Sequence, residues 1–308
     1  MKRALIALLV ALPWVVWAAV RTLGLDDRFP LVAAIAFTPF AALTSPLPVV
    51  VALVLRRRVV ALVAAAAMVA LVAAVVPRAV DGPAAGGEGR RFVVMTSNLY
   101  GGRGDAREVM RLVREKRVDV VSLQELTPAA VAALDDAGAR ELLPGRDVAA
   151  RPGGDGSGLM ARGALRFGSG DTATGAQQPE SAVADAGVRV KAVHPLPPID
   201  RGAARDWRRA LRALPPPRAG GGVGRILAGD FNATLDHGAF RELLDRGYVD
   251  AADAAGMGLK PTWPVGRRVF PIAIDHVLVP PGVRVRDVEI HEIRGSDHRA
   301  VIAELLLP

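Results

Sequence analysis

Residues 225–234 read RILAGDFNAT, and this stretch decides how the second half of the chain is interpreted. RILA is a short apolar run of the kind that forms buried strands. Three polar or flexible residues follow it closely, namely Gly229, Asp230 and Asn232. In layered α/β folds, sites gather where strand ends meet their loops. The stretch therefore predicts a sheet edge whose chemistry involves Asp230 and Asn232.

Other apolar runs of strand length lie on both sides of this stretch. They are residues 92–98 (FVVMTSN), 118–123 (VDVVSL), 188–193 (VRVKAV), 274–279 (IDHVLV) and 300–306 (AVIAELL), with a shorter one at 158–161. Two predicted helix starts lie after the first two of these runs. The D-x-x-E pattern of Asp105 and Glu108 follows residues 92–98, and the Thr127-Pro128 pair follows residues 118–123. The alternation predicts a layered α/β domain from residue 91 onward.

Polar residues recur at the ends of the predicted strands. They are Asn98, Glu125, His194, Asp230, Asn232, Asp275, Asp297 and His298. The carboxylate and amide oxygens of these residues suit a hard cation such as Mg²⁺, which takes one or two carboxylates together with waters and substrate phosphate. With imidazoles nearby, such a centre suits phosphate-ester hydrolysis, because the metal steadies developing charge while a side chain moves the proton. The chain has no cysteine, which excludes thiolate nucleophiles and Cys-ligated zinc.

Four short motifs occur in a fixed order: SNL at 97–99, LQE at 123–125, GDFNAT at 229–234 and GSDHR at 295–299. In this order and spacing they resemble the endonuclease/exonuclease/phosphatase family, which includes deoxyribonuclease I, exonuclease III, sphingomyelinases and inositol-phosphate phosphatases. The resemblance covers residues 91–308. It implies an α+β fold, a four-layer α/β sandwich of two packed mixed β-sheets flanked by helices, and a hydrolase acting on phosphoric ester bonds.

The resemblance also implies a metal site. Glu125 is expected to be the principal Mg²⁺ ligand, with Asn98 beside it and Asp297 at the same metal region. Mn²⁺ could substitute for Mg²⁺.

The remaining matches imply catalytic residues. Asp230 and Asn232 would orient or activate the attacking water and hold the scissile phosphate. His298 would contact phosphate or act as a general base, with its imidazole oriented by Asp275. His194 matches the histidine of the deoxyribonuclease-I-like branch, where it serves as a general acid or a phosphate contact.

The remaining aromatic and basic residues have mainly structural interpretations. Trp263, in Thr-Trp-Pro, either lines the site or packs in the core. His276 should point away from Asp275 by strand alternation, so a structural role is expected. His237 and His291 are expected to be surface residues. The arginines at 205, 208, 209 and 212 have helical spacing, which favours a solvated helix face over a phosphate-facing patch.

Substrate class stays open at this point. Aromatic residues are 5% of the chain, and no basic loop with interleaved aromatics is found. Nine basic and four acidic residues lie in the first 90, leaving 30 and 27 for the rest, so the domain from residue 91 has a net charge of only +3. A nucleic-acid footprint should lie on the binding domain itself. The leading interpretation is a nuclease-like phosphodiesterase outside the cytoplasm. The alternatives are a phospholipid or sugar-phosphate phosphoesterase and, from another class, a catalytically silent cell-surface binding module.

The first 79 residues are predicted to be an all-α transmembrane anchor of about three helices. Charge-free runs cover residues 4–20, 29–55 and 59–77, and about 20 apolar residues are needed to cross a bilayer. The second run holds four prolines, at 30, 39, 46 and 48, so it is either a kinked span or a re-entrant pair of half-helices. A cleaved leader is the alternative for the first run alone. Residues 80–90 are predicted to be a flexible linker and 91–308 the catalytic domain.

Positive charges predict the orientation of this anchor. Lys2 and Arg3 precede the first run, and three arginines at 56–58 lie between the second and third. With these ends in the cytoplasm, three crossings make the chain an integral, multi-pass protein of the cell membrane whose catalytic domain is extracellular. A re-entrant second run would invert this orientation.

Overall fold

The computed structural model describes residues 1–80, 88–167, 178–217, 223–266 and 269–308. Five helices make up the N-terminal segment of this described part: α1 (Lys2–Leu23), α2 (Leu31–Ile35), α3 (Thr38–Thr44), α4 (Pro46–Val54) and α5 (Arg58–Val75), followed by a 3₁₀ turn, Val76–Ala79. The first and third apolar runs of the sequence therefore form α1 and α5. The second run is divided into short helices, with Pro30, Pro39 and Pro46 at or beside their starts.

The first half of the following domain alternates strands and helices. It contains β1 (Arg90–Asn98), α6 (Ala106–Glu115), β2 (Val120–Gln124), α7 (Pro128–Asp136), α8 (Ala139–Leu142), β3 (Gly145–Ala149) and β4 (Ser157–Ala161). Both predicted helix starts are confirmed, because Asp105 accepts hydrogen bonds from the Arg107 and Glu108 amides and Thr127 accepts one from Ala130. Glu108 does not complete a capping box with Asp105, because its carboxylate accepts a hydrogen bond from the Arg294 amide at 2.8 Å.

The second half of the domain supplies the remaining strands and helices. It contains β5 (Leu165–Phe167), β6 (Glu180–Val183), β7 (Val188–Val193), α9 (Arg201–Ala213), β8 (Gly224–Asp230), α10 (Gly238–Asp245), β9 (Val249–Asp250), α11 (Ala251–Ala254), β10 (Asp275–Val279), β11 (Arg284–Glu292) and β12 (Arg299–Leu307). The predicted strands at 92–98, 118–123, 158–161, 188–193, 225–228, 274–279 and 300–306 are all present, with ends that differ by up to two residues.

Two mixed sheets form the centre of the domain. In the described residues their strand orders are β11-β12-β1-β2-β4-β3 and β5-β6-β7-β8-β10-β9. The pairs β1–β2 and β7–β8 are parallel, and the other pairs are antiparallel. Apolar side chains from the two inner faces, such as Val94, Val120, Val190 and Ile226, fill the space between the sheets. The predicted arrangement of two mixed sheets flanked by helices is confirmed.

Helices cover the outer faces of both sheets. Met110 and Val113 of α6 pack on the first sheet, while Trp207 of α9 and Phe240 of α10 pack on the second. Val32 of α2 belongs to this second outer cluster and is 1% exposed. The N-terminal segment therefore contributes to the core of the domain that follows it.

The N-terminal helices run alternately up and down. Near one end Ala7 of α1 packs with Ala52 of α4 and Ala61 of α5, and near the other end Ala18 and Ala67 pack with Ala42 of α3. Consequently α1 and α5 run in the same direction, with α3 and α4 antiparallel to them. In the described residues, α1 and Arg58–Ala79 are the two helical stretches long and apolar enough to cross a membrane.

Candidate active site

Strand direction brings the predicted polar residues to one edge of the two sheets. Because β1 and β2 are parallel, Asn98 and Glu125 emerge at the same edge. In the second sheet Asp275 at the start of β10 is paired with Asp230 at the end of antiparallel β8. Asp297 and His298 precede β12, whose start lies beside the end of β1. The eight residues predicted from sequence are thus gathered in one place.

Asp230 is at the centre of this group and is 2% exposed. Its Oδ1 accepts a hydrogen bond from the Asn232 amide at 2.8 Å, and its Oδ2 accepts one from Asn98 Nδ2 at 3.0 Å. The Nε2 atoms of His298 and His194 lie 3.7 and 3.9 Å from the same Oδ2. Burial, and next the charge of Asp275, raise the pKa of Asp230, so its carboxylate is a better proton acceptor than an exposed one.

His298 and Asp275 form a buried dyad. His298 Nδ1 donates to the Asp275 carboxylate, with distances of 2.9 and 3.2 Å to its two oxygens. Thr262 Oγ1 accepts from the Asp275 amide at 3.1 Å and so fixes the start of β10. Burial lowers the pKa of His298, but the charges of Asp275 and Asp230 outweigh burial and raise it to about 9. The imidazole is therefore a cation at neutral pH and directs Nε2 toward Asp230.

Glu125 and Asn98 are joined across β1 and β2. Asn98 Nδ2 donates to Glu125 Oε1 at 3.1 Å, and Asn98 Oδ1 accepts from the Tyr100 amide. Glu125 Oε2 accepts from the Gly101 amide at 2.7 Å. Glu125 and Asn232 both have left-handed backbone conformations, with φ of 52° and 48°. Such conformations are unfavourable for residues with a Cβ and are concentrated at functional sites.

The donor atoms suit a hard cation. Glu125 and Asp297 line the same cavity and supply carboxylate oxygens, and Mg²⁺ is typically bound by one or two carboxylates. Ligand atoms of Asp230, Asp275 and His298 also lie within 4.8 Å of one another. Within that second group, His298 Nδ1 is hydrogen-bonded to Asp275, and its Nε2 faces Asp230.

Asn98 connects two carboxylates of the site. Its amide nitrogen, 3.1 Å from Glu125 and 3.0 Å from Asp230, holds the two carboxylates in place. Asn98 therefore bridges Glu125, in the predicted metal region, and Asp230.

Ser296 is a residue that sequence reasoning missed. Its hydroxyl donates to the Asn98 carbonyl at 2.7 Å and accepts from the His298 amide at 3.0 Å. The turn that carries Asp297 and His298 is therefore tied to the end of β1. The position of Ser296 inside the GSDHR motif was the available signal.

Trp263 lines the site. Its Nε1 donates to Asp297 Oδ2 at 3.3 Å, and its ring centroid lies 6.3 Å from that of His298. The proline that follows it, Pro264, is joined by a cis peptide bond. Of the two interpretations that the sequence allowed for Trp263, the structure favours the site.

Two other histidines are buried outside the reacting group. His276 donates to Asp250 at 2.7 Å and to the Ala233 carbonyl at 2.8 Å, which confirms its structural role. The surface prediction for His237 is wrong, because this side chain is 2% exposed. It accepts from the Thr234 amide at 2.8 Å and donates to the Val32 carbonyl at 2.9 Å. The partner that buries it lies 205 residues away and was invisible in the local pattern.

The arginines of α9 agree with a solvated helix face. Arg208 pairs with Asp27, Arg209 with Asp206 and Arg212 with Glu242, and Arg205 is exposed. They do not line the catalytic cavity among the residues that the structure describes.

A cavity of about 520 Å³ opens over Asp230. Six of the predicted residues line it: Glu125, His194, Asp230, Asn232, Asp297 and His298. Its opposite wall comes from the N-terminal segment and includes Phe29, Ala33 and Phe37. Sequence reasoning missed this wall, because the apolar run that contains it was assigned to the membrane as a whole.

The chain matches a known family in sequence and several solved structures in fold. The sequence model of the Endonuclease/Exonuclease/phosphatase family matches residues 95–298. No curated protein matches the chain at a significant level.

Several solved structures have a similar fold. Humanized D. rerio TDP2 carrying 14 mutations has a TM-score of 0.54 and 18% identity over 70% of this chain and 98% of its own. An endonuclease/exonuclease/phosphatase from Beutenbergia cavernae has a TM-score of 0.55 and 19% identity over 71% and 72%. The 3′ phosphatase NExo from Neisseria, bound to a product DNA hairpin, has a TM-score of 0.51 and 20% identity over 69% and 98%. At these identities the similarity is one of fold.

Proposed function

Because the chain belongs to the Endonuclease/Exonuclease/phosphatase family, we propose that it is an enzyme that hydrolyses a phosphate ester with the help of Mg²⁺. Proteins of similar fold include a 3′ phosphatase and an AP endonuclease. Beyond the shared fold, we propose that water attacks phosphorus in line with the leaving group and that a metal ion assists this step.

One observation carries the proposal. Two imidazoles, those of His194 and His298, approach a single carboxylate oxygen of Asp230 at 3.9 and 3.7 Å. A buried site with one acceptor for a water proton and two imidazoles beside it can both activate water and hold an anion. Packing alone gives no reason to bring these groups together, since their mutual desolvation is unfavourable.

The chain's own residues divide the work. Asp230, whose pKa is raised by burial, accepts the proton of the attacking water. His298, held as a cation by Asp275, binds a phosphate oxygen, and its charge is matched to the charge that develops in the transition state. His194 binds the phosphate from the other side or protonates the leaving oxygen. Asn232, held by a hydrogen bond from its Nδ2 to the Pro195 carbonyl at 3.0 Å, positions the phosphate.

Glu125 and Asp297 would hold the metal ion, with Asn98 positioning Glu125. A bound Mg²⁺ would supply positive charge against the phosphate oxygens. The amide of Gly101 keeps the Glu125 carboxylate directed at the cavity, so the ligand is held in place before the ion arrives.

We further propose that the N-terminal segment is a three-pass membrane anchor. Large apolar side chains point outward along its helices; Leu12, Leu47 and Leu62 are 54%, 54% and 71% exposed. An exposed apolar surface of this extent favours contact with lipid over contact with water. The 22 residues of α1 would extend about 33 Å, against a hydrocarbon core of about 30 Å.

Charge supports an orientation for this anchor. Lys2, Arg3 and the arginines at 56–58 share the end of the helix bundle at which Ala7, Ala52 and Ala61 pack together. The catalytic domain is attached at the other end. The positive-inside rule then favours a cytoplasmic amino terminus and a domain outside the cytoplasm.

The test uses the full chain in nanodiscs with p-nitrophenyl phosphate and bis(p-nitrophenyl) phosphate, each with Mg²⁺, Mn²⁺ or EDTA. We expect turnover of at least one ester with a metal ion and loss of turnover with EDTA. Asp230→Asn should lower kcat by about 10²- to 10⁴-fold. Asp206→Asn, an exposed aspartate of α9, is the matched control and should keep full activity.

Two results would overturn the proposal. One is equal activity with EDTA and Mg²⁺. The other is a folded protein that neither binds Mg²⁺ nor hydrolyses either ester, which would favour the binding-module alternative.

A further inference from the structure

The catalytic cavity has two chemically different halves. The carboxylates and imidazoles around Asp230 form one half, and Phe29, Ala33, Ala36 and Phe37 form much of the other. Phosphate and its metal ion need only the first half. The second half is therefore built to receive an apolar part of the substrate.

This apolar wall is held firmly against residues 230–238, which we call the catalytic loop. Val32, on the same short helix, is buried with Trp207 and Phe231. His237 donates to the Val32 carbonyl at 2.9 Å, and Asp26 accepts from the Gly238 amide at 2.9 Å. Because residues 230–238 carry both Asp230 and these contacts, the wall keeps a fixed position relative to the reacting atoms.

The apolar half continues toward the exposed helices. Phe37 lines the catalytic cavity and also a neighbouring apolar groove of about 380 Å³, which contains Trp14 and Trp17 of α1. Phe270 lines this groove as well, with its ring 4.7 Å from that of Phe40. Phe37 therefore joins the apolar groove beside α1 to the catalytic cavity.

The cavity and the groove each include a largely exposed apolar side chain. Ile199 lines the cavity and is 70% exposed, and Phe270 beside the groove is 66% exposed. Among the described residues that line the cavity there is no lysine or arginine. A nucleic-acid backbone is normally followed by such basic groups, so the surroundings favour a substrate that carries one phosphate and a hydrocarbon chain.

We propose that the substrate is a membrane lipid phosphoester whose hydrocarbon chain lies against Phe29, Ala33 and Phe37 and enters the cavity from the side of the bilayer. This assignment rests on the proposed function. Water adds to phosphorus and loses its proton to Asp230, the ester P–O bond breaks, and the leaving oxygen is protonated to give an alcohol. The apolar wall acts by holding the chain, so it contributes to substrate specificity.

The test measures how activity depends on chain length. The full chain in nanodiscs is given p-nitrophenyl alkyl phosphodiesters from methyl to octyl, as monomers, with Mg²⁺. We expect kcat/KM to rise with each methylene, by at most about fourfold per step, the factor that corresponds to full burial of one CH₂. If the monoester is the better substrate, alkyl phosphates replace the diesters and phosphate release is measured.

Ala33→Trp is the diagnostic variant, because a large side chain at this position fills the apolar half. It should flatten the dependence on chain length and lower kcat/KM for the octyl ester by at least about tenfold more than for the methyl ester. Ala34→Trp is the matched control. Ala34 is equally half-buried on the same helix, but it does not line the cavity among the described residues. The melting temperatures of both variants show whether each is folded.

The outcomes separate this inference from the proposed function. Hydrolysis of the methyl ester without any effect of chain length, or faster cleavage of a DNA oligonucleotide than of the octyl ester, would overturn the lipid assignment alone. An equal loss for methyl and octyl esters in folded Ala33→Trp would also reject it. Failure to hydrolyse every ester, together with p-nitrophenyl phosphate and the oligonucleotide, would reject the proposed function itself.

Discussion

Arg78 donates from Nη1 and Nη2 to the two carboxylate oxygens of Asp236, at 2.8 and 2.7 Å. Arg78 follows α5, and Asp236 lies six residues after Asp230. Arg21, at the end of α1, donates to the same carboxylate at 2.9 Å. Both long N-terminal helices therefore end on the loop that follows Asp230.

Asp236→Ala is expected to destabilise the protein strongly. It leaves the guanidinium groups of Arg21 and Arg78, 16% and 7% exposed, without their shared carboxylate. Removing one partner of a buried ion pair costs about 3–5 kcal/mol. The loss of stability in Asp236→Ala is measured as the shift of the denaturation midpoint in detergent.

Glu304→Ala is the control for this variant. Glu304 pairs with Arg91 and Arg286 at the surface, where their side chains are 40% and 58% exposed. Loss of such exposed pairs costs about 1 kcal/mol or less. An Asp236→Ala shift no larger than that of Glu304→Ala would show that the buried contact contributes little.

Cutting the chain between the two parts should leave them associated. A protease site placed within residues 81–87 separates the helices from the domain covalently, but Val32 and the pair of Arg78 with Asp236 stay in place. We expect the two fragments to elute together from a sizing column in detergent. Separation of the intact fragments after cleavage, in wild type, would contradict the docked arrangement.

Asp275→Asn should disable His298 without removing it. The asparagine keeps the shape of the dyad but loses the charge that helps to raise the pKa of His298 to about 9. We expect kcat to fall by about 10²- to 10⁴-fold. In the metal-free protein, NMR titration should show a lower pKa for His298 in the variant. An unchanged pKa with reduced activity would mean that Asp275 acts only through packing.

Acid should loosen the contact between α2 and the catalytic loop. His237 is held neutral, since its Nδ1 accepts from the Thr234 amide and cannot also carry a proton. Burial lowers its pKa from 6.5. Stability from this group is therefore present above about pH 6.5 and is lost as the pH falls toward the lowered folded-state pKa. Melting curves of wild type and His237→Asn across about pH 5 to 8 measure this loss. The variant, which does not titrate, should lose less stability in acid, and a parallel decline would reject the role of His237.

Much of the catalytic domain could be predicted from the sequence. The strands at 92–98 and 225–228 have apolar runs of the right length, and Asp105 and Thr127 have the side chains that cap helices. The motifs around Glu125, Asp230 and His298 indicated which polar residues would be found together. Each of these signals is local, and local propensity acts within a few residues.

Other features depend on contacts between distant residues. Ser296 lies inside the GSDHR motif and His237 lies in no motif, but in both cases the partner, Asn98 or Val32, is 198 or 205 residues away and could not be identified locally. Asn98 was expected as a ligand, but only its neighbours across two strands give it a position between Glu125 and Asp230.

The sequence by itself determined the strands, the helix caps and the chemistry of the reacting groups, because hydrophobic periodicity and side-chain type are properties of short segments. It also indicated an apolar N-terminal segment of membrane length. Only the tertiary structure decided that this segment forms a wall of the catalytic cavity. An apolar run satisfies the same hydrophobic requirement in lipid or against a protein core, and the choice depends on which surfaces the folded domain leaves open. Here Val32 packs in the buried cluster that contains Trp207, and Asp236 binds Arg21 and Arg78.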